Sequence, residues 1–200
     1  MKTLKLLLIT CCLICATTAC EENHDLITED SINALSSQAK SSKQLKLPYK
    51  AKMFTTAAED APSGTCTFNS PTDFWRPEHQ IGKGNATYIG NFTTNLEFCF
   101  HIVLNDQGQP DFRAGFGEFT GASNIIEANN GDKLFTSGSG GKLMPIQDET
   151  YIFEFVNIIT ITGGTERFEN ASGEIVSIGR VRIDGTGTDH IQEGTIILNN

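Results

Sequence analysis

Basic residues are scarce in this sequence, and so are the short motifs that mark many enzymes. Lys and Arg number 15 against 24 Asp and Glu, which gives a formal net charge of −9 at pH 7. Because no basic cluster is present, we expect no nucleic-acid partner and no electrostatic docking on anionic lipid. Beyond the first 20 residues there is also no Gly-x-Ser-x-Gly, phosphate-loop or Cys-x-x-Cys sequence. An enzyme is therefore the less favoured class, since only a cavity could hold a catalytic site that no linear motif marks.

Long hydrophobic runs are rare as well, and the one clear run lies at the N-terminus. It extends from Leu6 to Ala16, after the positively charged start Met1-Lys2. The run is shorter than the roughly 20 residues that a membrane-spanning helix needs, but it suits the hydrophobic region of a secretory signal. The small residues Thr17-Thr18-Ala19 then lead to Cys20. This order resembles the lipobox of bacterial lipoproteins, except that Thr17 stands where Leu is usual.

The lipobox resemblance implies that residues 1–19 are a lipoprotein signal peptide and that Cys20 carries the lipid. Several acyl chains, palmitate among them, would hold the protein on a membrane at about 0.8 kcal/mol per buried CH2 group. We therefore expect a protein of the outer membrane or cell surface that is anchored to the membrane without spanning it. The alternative is an ordinary secretory signal cleaved near Ala19, which would leave Cys20 as a free thiol.

Residues 20–46 have the composition of a flexible tether, because they are rich in polar and charged residues and poor in aromatic ones. Glu21-Glu22 resembles the acidic export signal of surface lipoproteins in the Bacteroidetes; the alternative is a merely solvated stretch. Asp30-Ser31-Ile32 resembles an O-glycosylation motif of the same phylum, with Ser31 as the acceptor. Removing the two signal-peptide lysines leaves 13 Lys and Arg against 24 acids, a formal charge of −11 on the mature chain.

Proline and helical periodicity are both sparse in residues 47–200. The whole chain has 6 Pro against 19 Gly and 13 Phe, and apolar residues recur at every second position. This pattern predicts one all-β domain over residues 47–200. The clearest alternation places five apolar residues on one strand face: Leu96, Phe98, Phe100, Ile102 and Leu104. About eight strands can be counted, enough to close a single antiparallel β-barrel that is filled by side chains or holds one small ligand.

Three glycine-containing elements follow one another along the predicted barrel. They are a Gly-Lys-Gly-x-x-Thr-x-x-Gly strand from Gly82 to Gly90, then Ala128-Asn-Asn-Gly-Asp132, then Ile161-Thr-Gly-Gly-Thr-Glu-Arg-Phe-Glu-Asn-Ala-Ser-Gly173. In this order they resemble secreted bacterial barrel proteins built on a scaffold like that of allene oxide cyclase and the dirigent proteins. The resemblance covers Gly82 to Ile183 and departs at Glu166, where Gly is usual. It implies a barrel and no particular reaction, since one fold hosts many functions.

Aromatic side chains that face the barrel interior are the candidate cavity lining. They are Tyr88, Phe98, Phe100, Phe153 and Phe155. In an open barrel these side chains would contact a small apolar ligand, and in a filled barrel they would be core. Binding of such a ligand, or of a partner on the surface, is the favoured function. The alternatives are a cavity enzyme of cyclase or isomerase type and a structural or host-contact surface protein.

Two cysteines, Cys66 and Cys99, lie in the predicted domain. An isolated pair in an oxidising compartment can form a disulfide. Closing a loop of about 33 residues would stabilise the fold by about 3–4 kcal/mol in the chain-entropy model. Two reduced and buried cysteines are an equal alternative.

No metal or cofactor site is predicted, because the four His residues are scattered along the sequence. Glu97 and His101 share a strand face, but four strand residues place them about 13 Å apart, too far to hold one metal ion.

Trp75 lies in residues 70–79, which two prolines mark as irregular. We expect this segment to plug one end of the barrel; the alternatives are a lid and an aromatic recognition tip. Arg167 is expected to bond carbonyls of its own turn, while Arg180 and Arg182 are expected to point to solvent.

Overall fold

The computed structural model describes residues 44–60 and 62–199. These residues form twelve strands, one short 3-10 helix, Glu166–Phe168, and the turns and loops between them. The strands are β1 (Gln44–Ala57), β2 (Phe68–Ser70), β3 (Asp73–Ala86), β4 (Gly90–Val103), β5 (Glu118–Phe119), β6 (Ser123–Ala128), β7 (Lys133–Gly138), β8 (Gly141–Lys142), β9 (Met144–Pro145), β10 (Tyr151–Gly164), β11 (Ser172–Arg182) and β12 (Thr188–Asn199). The predicted signal peptide, Cys20 and Ser31 lie outside the described residues.

Eight of these strands close into one antiparallel barrel, which confirms the predicted fold class. The order around the barrel is β3, β1, β12, β11, β10, β7, β6 and β4, and pairing of β4 with β3 completes the ring. The short strands β2, β5, β8 and β9 pair at one end of the longer ones. Within the described residues, no helix is long and apolar enough to cross a membrane.

The barrel begins before the predicted end of the tether. β1 starts at Gln44, and Gln44 through Lys46 pair with Asn199 through Ile197 of β12. Residues 44–46, which were assigned to the tether from the sequence, are therefore part of β1. Their polar sequence gave no strand signal because the free energy here comes from backbone pairing with a strand about 150 residues away in the chain.

A sealed end of the barrel contains the apolar core. Inward-facing side chains from every barrel strand meet there: Tyr49, Ala51, Met53, Ala86, Ile89, Phe92, Ile126, Ala128, Leu134, Ile159, Ile161, Ile175 and Ile196, with Phe168 and Ala171 from the 3-10 segment. The two-residue period of each strand places these residues on one face. We call this region the sealed end.

Phe168 closes the sealed end, and the turn that carries it is fixed by two of the motifs noted in the sequence. Arg167 Nε lies 2.8 Å from the Asp132 carboxylate. The Lys133 N–H donates to the Thr165 hydroxyl at 2.9 Å, which holds the 3-10 segment on β7. The predicted partner of Arg167 was wrong, because the acidic side chain of the neighbouring hairpin offers a charge that turn carbonyls lack. Phe168 is only 1% exposed as a result.

Residues 73–79, most of the segment that was predicted to be an irregular plug, form part of strand β3. β3 runs through Trp75 and Pro77, and Pro77 lies opposite Cys99 of β4. Strand β1 pairs with β3 only from Gln80 to Ala86. Pro77 is tolerated because β1 does not reach it, so its missing N–H costs no ladder hydrogen bond on that side.

The apolar content of residues 112–128 favours one long strand, but in the structure they form turns, β5 and β6. Gly115 and Gly117 adopt positive φ angles of 116° and 86°, a region that strand residues do not occupy. We call residues 105–122, which connect β4 to β6 and contain β5, the strap.

Candidate binding cavity beneath the strap

The half of the barrel opposite the sealed end has an interior lined by neutral polar side chains. They are Thr55, Thr94, Asn124, Thr136, Asn157, Ser177, Thr188, His190 and Gln192, each at most 9% exposed. With the aromatic residues above them, most of these side chains line a cavity of about 110 Å³. This cavity is the candidate functional site.

His190 lines the cavity and has a strongly lowered pKa. Its Nε2 lies 3.0 Å from Thr55 Oγ1, and the Thr55 hydroxyl donates to Gln80 Oε1 at 2.9 Å. Because that hydroxyl has a single proton, His190 Nε2 must carry the proton that joins it to Thr55. His190 Nδ1 has no hydrogen-bond partner in the described part of the chain. Burial lowers the pKa of His190 to about 4, against a small opposing effect of Asp189, so the ring is neutral at pH 7.

Hydrogen bonds fix the other polar groups. The Thr94 hydroxyl donates to Asn124 Oδ1 at 2.6 Å, and Gln192 Nε2 donates to Ser177 Oγ at 3.4 Å. Tyr49, whose pKa is raised by burial, directs its hydroxyl to Gln192 at 3.5 Å. No ionised side chain is among the described residues that line the cavity. A charged molecule would lose its hydration there without gaining a counter-charge, so the site suits a neutral one.

The outer wall of the cavity is aromatic. Phe98, Phe119 and Phe155 line it, and the Phe119 and Phe155 rings meet edge to face at a centroid distance of 5.0 Å. Phe155 lies over Gly179 of the neighbouring strand, where a Cβ would be 2.1 Å from the ring. A larger residue at position 179 would therefore push Phe155 into the cavity.

Of the five side chains predicted to line the cavity, the structure brings only Phe98 and Phe155 to it. Phe100 and Phe153 lie beyond the lining and pack against the strap, Phe100 on Phe116 at 5.7 Å and Phe153 on Phe112 at 5.8 Å. Tyr88 is an error of the prediction. It lies in the turn between β3 and β4 with φ 63° and is 43% exposed, because the strand that was expected to carry it ends at Ala86.

Sequence reasoning missed the polar half of the lining and Phe119. Polar residues at alternate strand positions are usually read as solvent-facing. In β12 the inward face instead carries Thr188, His190 and Gln192, while Ile191 is 48% exposed. The only available signal was this inverted alternation in residues 188–192.

The strap covers the aromatic wall. Phe119 pairs with Phe100 of β4 and with Gly141 of β8. The N–H groups of Arg113 and Ala114 donate to Asp111 Oδ1 at 3.0 and 3.1 Å, which stabilises the turn before β5. Phe119 and Ala122 are the strap residues that line the cavity.

A disulfide lies beside the strap. The structure joins Cys66 and Cys99, with their Cα atoms 5.9 Å apart and a sequence separation of 33. The Cys99 N–H donates to Thr120 Oγ1 at 3.0 Å, and the Thr120 N–H donates to the Cys99 carbonyl at 2.9 Å. The covalent link therefore fixes the part of β4 to which the strap is bonded.

Trp75 lies on β3, outside the cavity lining, and its indole stacks on the His101 ring. The ring centroids are 4.3 Å apart and the planes differ by 1°. His101 Nε2 donates to Asp73 Oδ1 at 2.8 Å, and its Nδ1 lies 3.9 Å from Glu118 Oε2. Glu118 also accepts from Lys142 Nζ at 3.2 Å. The hydrogen bond from His101, followed by that from Asn69, lowers the pKa of Asp73.

Arg180 and Arg182 of β11 are partly exposed, as predicted, and each also forms a salt bridge. Arg180 Nε donates to Glu154 at 2.8 Å, and Arg182 Nε donates to Asp189 at 2.7 Å. Within residues 44–60 and 62–199, no three His, Cys, Asp or Glu side chains lie close enough to hold a metal ion.

No known protein-family model matches the chain. A comparison with curated proteins likewise gives no significant match. The geometry of the barrel and its cavity is therefore the basis for any functional assignment.

Proposed function

We propose that this protein is a lipid-anchored lipoprotein of the outer membrane or cell surface whose barrel binds a small, neutral, largely apolar ligand. The lipid on Cys20 would be its link to the membrane. The resemblance to allene oxide cyclase-like and dirigent-like barrels supports a ligand site in the interior. The observation that carries the proposal is a cavity of about 110 Å³ with an aromatic wall and only neutral polar groups around it.

Binding is favoured over catalysis by the state of His190. A general base works best when its pKa lies near the working pH. His190, with a pKa of about 4, is a weak base at pH 7, and the described residues that line the cavity include no carboxylate or ammonium that could act with it. An isomerase or cyclase would need such a second group. The lining instead supplies hydrogen bonds that orient a ligand without changing it.

The size of the cavity limits the ligand. A cavity of about 150 Å³ can hold one benzene molecule, whereas this one measures about 110 Å³. A chain of a few carbon atoms is therefore the largest molecule that fits without movement of the wall. A single ring such as benzene would have to displace Phe119 slightly, and a larger ligand would have to displace it further.

Contact with a macromolecular partner is the second candidate function, because the outer surface carries an exposed apolar patch. Val156 lies opposite Ile178, Ile158 lies opposite Val176, and Ile178 lies opposite Ile191 on the next strand. These five side chains are between 38% and 54% exposed. Such a patch is a common feature of protein-interaction surfaces.

Native mass spectrometry of the protein purified from its own cell envelope tests the proposal. We expect the mass of acyl chains on Cys20 and a bound neutral molecule that dissociates when the protein unfolds. A Cys20→Ala variant should leave the membrane fraction and keep its bound molecule, because the barrel does not depend on the anchor. Recovery of the wild-type protein in the soluble fraction without acyl chains would refute the anchor. If the wild-type protein carries no bound neutral molecule and benzene also fails to bind the purified barrel, the ligand proposal is wrong.

A further inference from the structure

Two side-chain amides in the polar half of the barrel each have an occupied oxygen and an unoccupied nitrogen. Asn124 Oδ1 accepts a hydrogen bond from the Thr94 hydroxyl at 2.6 Å, and Gln80 Oε1 accepts one from the Thr55 hydroxyl at 2.9 Å. An amide NH2 group can only donate, and neither nitrogen has an acceptor among residues 44–60 and 62–199. Both groups therefore retain their N–H donors.

Asn157 of β10 repeats this pattern on the other side of β7. Its Oδ1 accepts from the Ser139 hydroxyl at 3.3 Å. Its amide nitrogen lies over Gly138 of β7, where a Cβ would be only 2.6 Å from Nδ2. The absence of a side chain at position 138 therefore makes room for this NH2 group on the inward face of β7, the face that also carries Thr136. Thr136 is paired with Asn124 of β6, so the two asparagines approach the cavity from either side of β7.

The NH2 groups of these three amides open into the cavity. Gln80, Asn124 and Asn157 all line it. In the part of the chain that the structure describes, the only side-chain nitrogen or oxygen atoms that are fully shielded without a hydrogen-bond partner are Nδ1 of His101 and Nδ1 of His190. The amide nitrogens are therefore not sealed inside the wall, and the two asparagines, at most 9% exposed, have little surface elsewhere. A donor without a partner in such a place costs free energy, which a bound acceptor would recover.

A molecule that matches this lining has an acceptor oxygen at one end and hydrocarbon at the other. The hydrocarbon would lie against the aromatic wall of Phe98, Phe119 and Phe155. A carbonyl oxygen has two lone pairs and no proton, so it can accept two N–H bonds without needing an acceptor of its own. The hydroxyls of Thr136 and Thr188, which also line the cavity, can donate or accept and so leave this preference unchanged.

We propose that the ligand is a small neutral carbonyl compound, such as a ketone, aldehyde or ester of a few carbon atoms, whose oxygen is held by the NH2 groups of Asn124 and Asn157. The inference rests on the proposed ligand site and specifies the chemistry of the molecule that the site holds. Gln80 offers a further donor to a ligand with a second oxygen. A carboxylate is a poorer ligand, because the described lining offers it no counter-charge.

Three probes of nearly equal size and shape isolate the role of the oxygen. Acetone carries the carbonyl, 2-methylpropene has a CH2 group in its place, and acetate adds a negative charge. NMR titration of the purified full-length protein at pH 7 measures their binding at millimolar concentrations, because such small ligands bind weakly. We expect the side-chain amide protons of Asn124 and Asn157 to move downfield with acetone and not with 2-methylpropene. Acetate should bind more weakly than acetone.

Replacing an asparagine by leucine keeps the shape of the side chain and removes its donors. Because acetone is better hydrated in water than 2-methylpropene, each probe is compared with itself across the variants. Asn124→Leu and Asn157→Leu should each weaken acetone binding about two- to tenfold, the effect of one hydrogen bond, and leave 2-methylpropene binding equal or tighter. Asn95→Leu is the matched control, since Asn95 follows Thr94 on β4 and is exposed on the outer face; it should bind both probes like the wild type. If Asn124→Leu does not fold, Asn157→Leu still decides, because the Ser139 hydroxyl keeps the Gly140 carbonyl as an acceptor.

The outcomes separate the carbonyl assignment from the ligand site itself. Weaker binding of acetone alone in the leucine variants supports both. If the variants change the affinity for acetone and 2-methylpropene equally, or if the amide protons do not respond to acetone, the cavity still binds small molecules but the carbonyl assignment is overturned. Tighter binding of acetate than of acetone also overturns it. If none of the three probes binds and benzene does not bind either, the ligand site is refuted, and this inference fails with it.

Discussion

The two halves of the barrel interior share the same strand geometry but carry different inward-facing side chains. At the sealed end, Phe168, Leu134 and Ile196 are at most 1% exposed and pack into a continuous apolar core. In the other half, the inward positions carry amides, hydroxyls and His190 around a cavity. Buried polar groups contribute less to stability than close-packed apolar ones, and an unpaired nitrogen subtracts from it. We infer that the sealed end supplies most of the folding free energy and that the polar half is kept for function.

Phe168→Ala gives the largest expected effect on this comparison. Removing a fully buried phenylalanine leaves a cavity in the sealed end and should lower the free energy of unfolding by about 3–5 kcal/mol. Urea denaturation measures the change, and Phe68→Ala is the control, because Phe68 is 68% exposed. The control should lie within about 0.5 kcal/mol of the wild type. Equal losses for the two variants would show that the sealed end is not the main source of stability.

Loss of the disulfide is expected to have the next largest effect, and it acts on the strap side. The paired substitution Cys66→Ser with Cys99→Ser should lower the free energy of unfolding by about 2–4 kcal/mol, because the unfolded chain regains the entropy of an open loop of 33 residues. Thermal unfolding of the oxidised and the chemically reduced wild type provides the comparison. We expect the reduced protein to match the double variant. If oxidised and reduced protein had the same midpoint of thermal unfolding, the disulfide would stabilise the folded protein by no measurable amount.

His190 should make the polar half sensitive to acid. Its pKa is about 4 in the folded protein and about 6.5 when unfolded. Below pH 6.5 the His190 ring is protonated in the unfolded chain but stays neutral in the folded protein. The free energy of unfolding therefore decreases as the pH falls toward 4. The loss between pH 7 and pH 5 should be about 2 kcal/mol.

Urea denaturation of His190→Gln at the two pH values tests this expectation. The variant should lose about 2 kcal/mol less than the wild type between pH 7 and pH 5. The difference between the pH profiles of the variant and the wild type is the quantity to compare. Identical pH profiles would place His190 in a more hydrated environment than the structure gives it.

The sequence pattern predicted the structure correctly where apolar residues alternate with polar ones along a strand. It failed where buried positions carry polar residues. The apolar alternation around Phe98 predicted the all-β barrel, because that signal is local. The cavity depends on contacts such as Thr55 with His190, which are 135 residues apart in sequence. Polar residues on the inward face of β12 reverse the usual pattern, and only closure of the barrel shows which way they point.

The strap was missed for a related physical reason. Residues 112–119 have an apolar content that favours a strand, but the positive φ angles of Gly115 and Gly117 turn the chain back over the barrel mouth. Trp75 was likewise assigned to a loop because Pro77 is unusual in a strand. Both errors come from tertiary context, since a proline or glycine is acceptable wherever no neighbouring strand requires its hydrogen bond or its side chain.

Tyr88 offers the smallest and most local test of the sealed end. It lies in the turn between β3 and β4 with φ 63°, while the next residue, Ile89, is 6% exposed and belongs to the core. A left-handed conformation costs a tyrosine about 1 kcal/mol, and asparagine tolerates it better. Tyr88→Asn should therefore leave stability unchanged or raise it by up to about 0.5 kcal/mol, whereas Tyr88→Ala should give no gain. Thermal unfolding of both variants is the measurement. A clear loss in Tyr88→Asn would mean that the exposed ring contributes to the sealed end, and the division between inward and outward residues would fail at this turn.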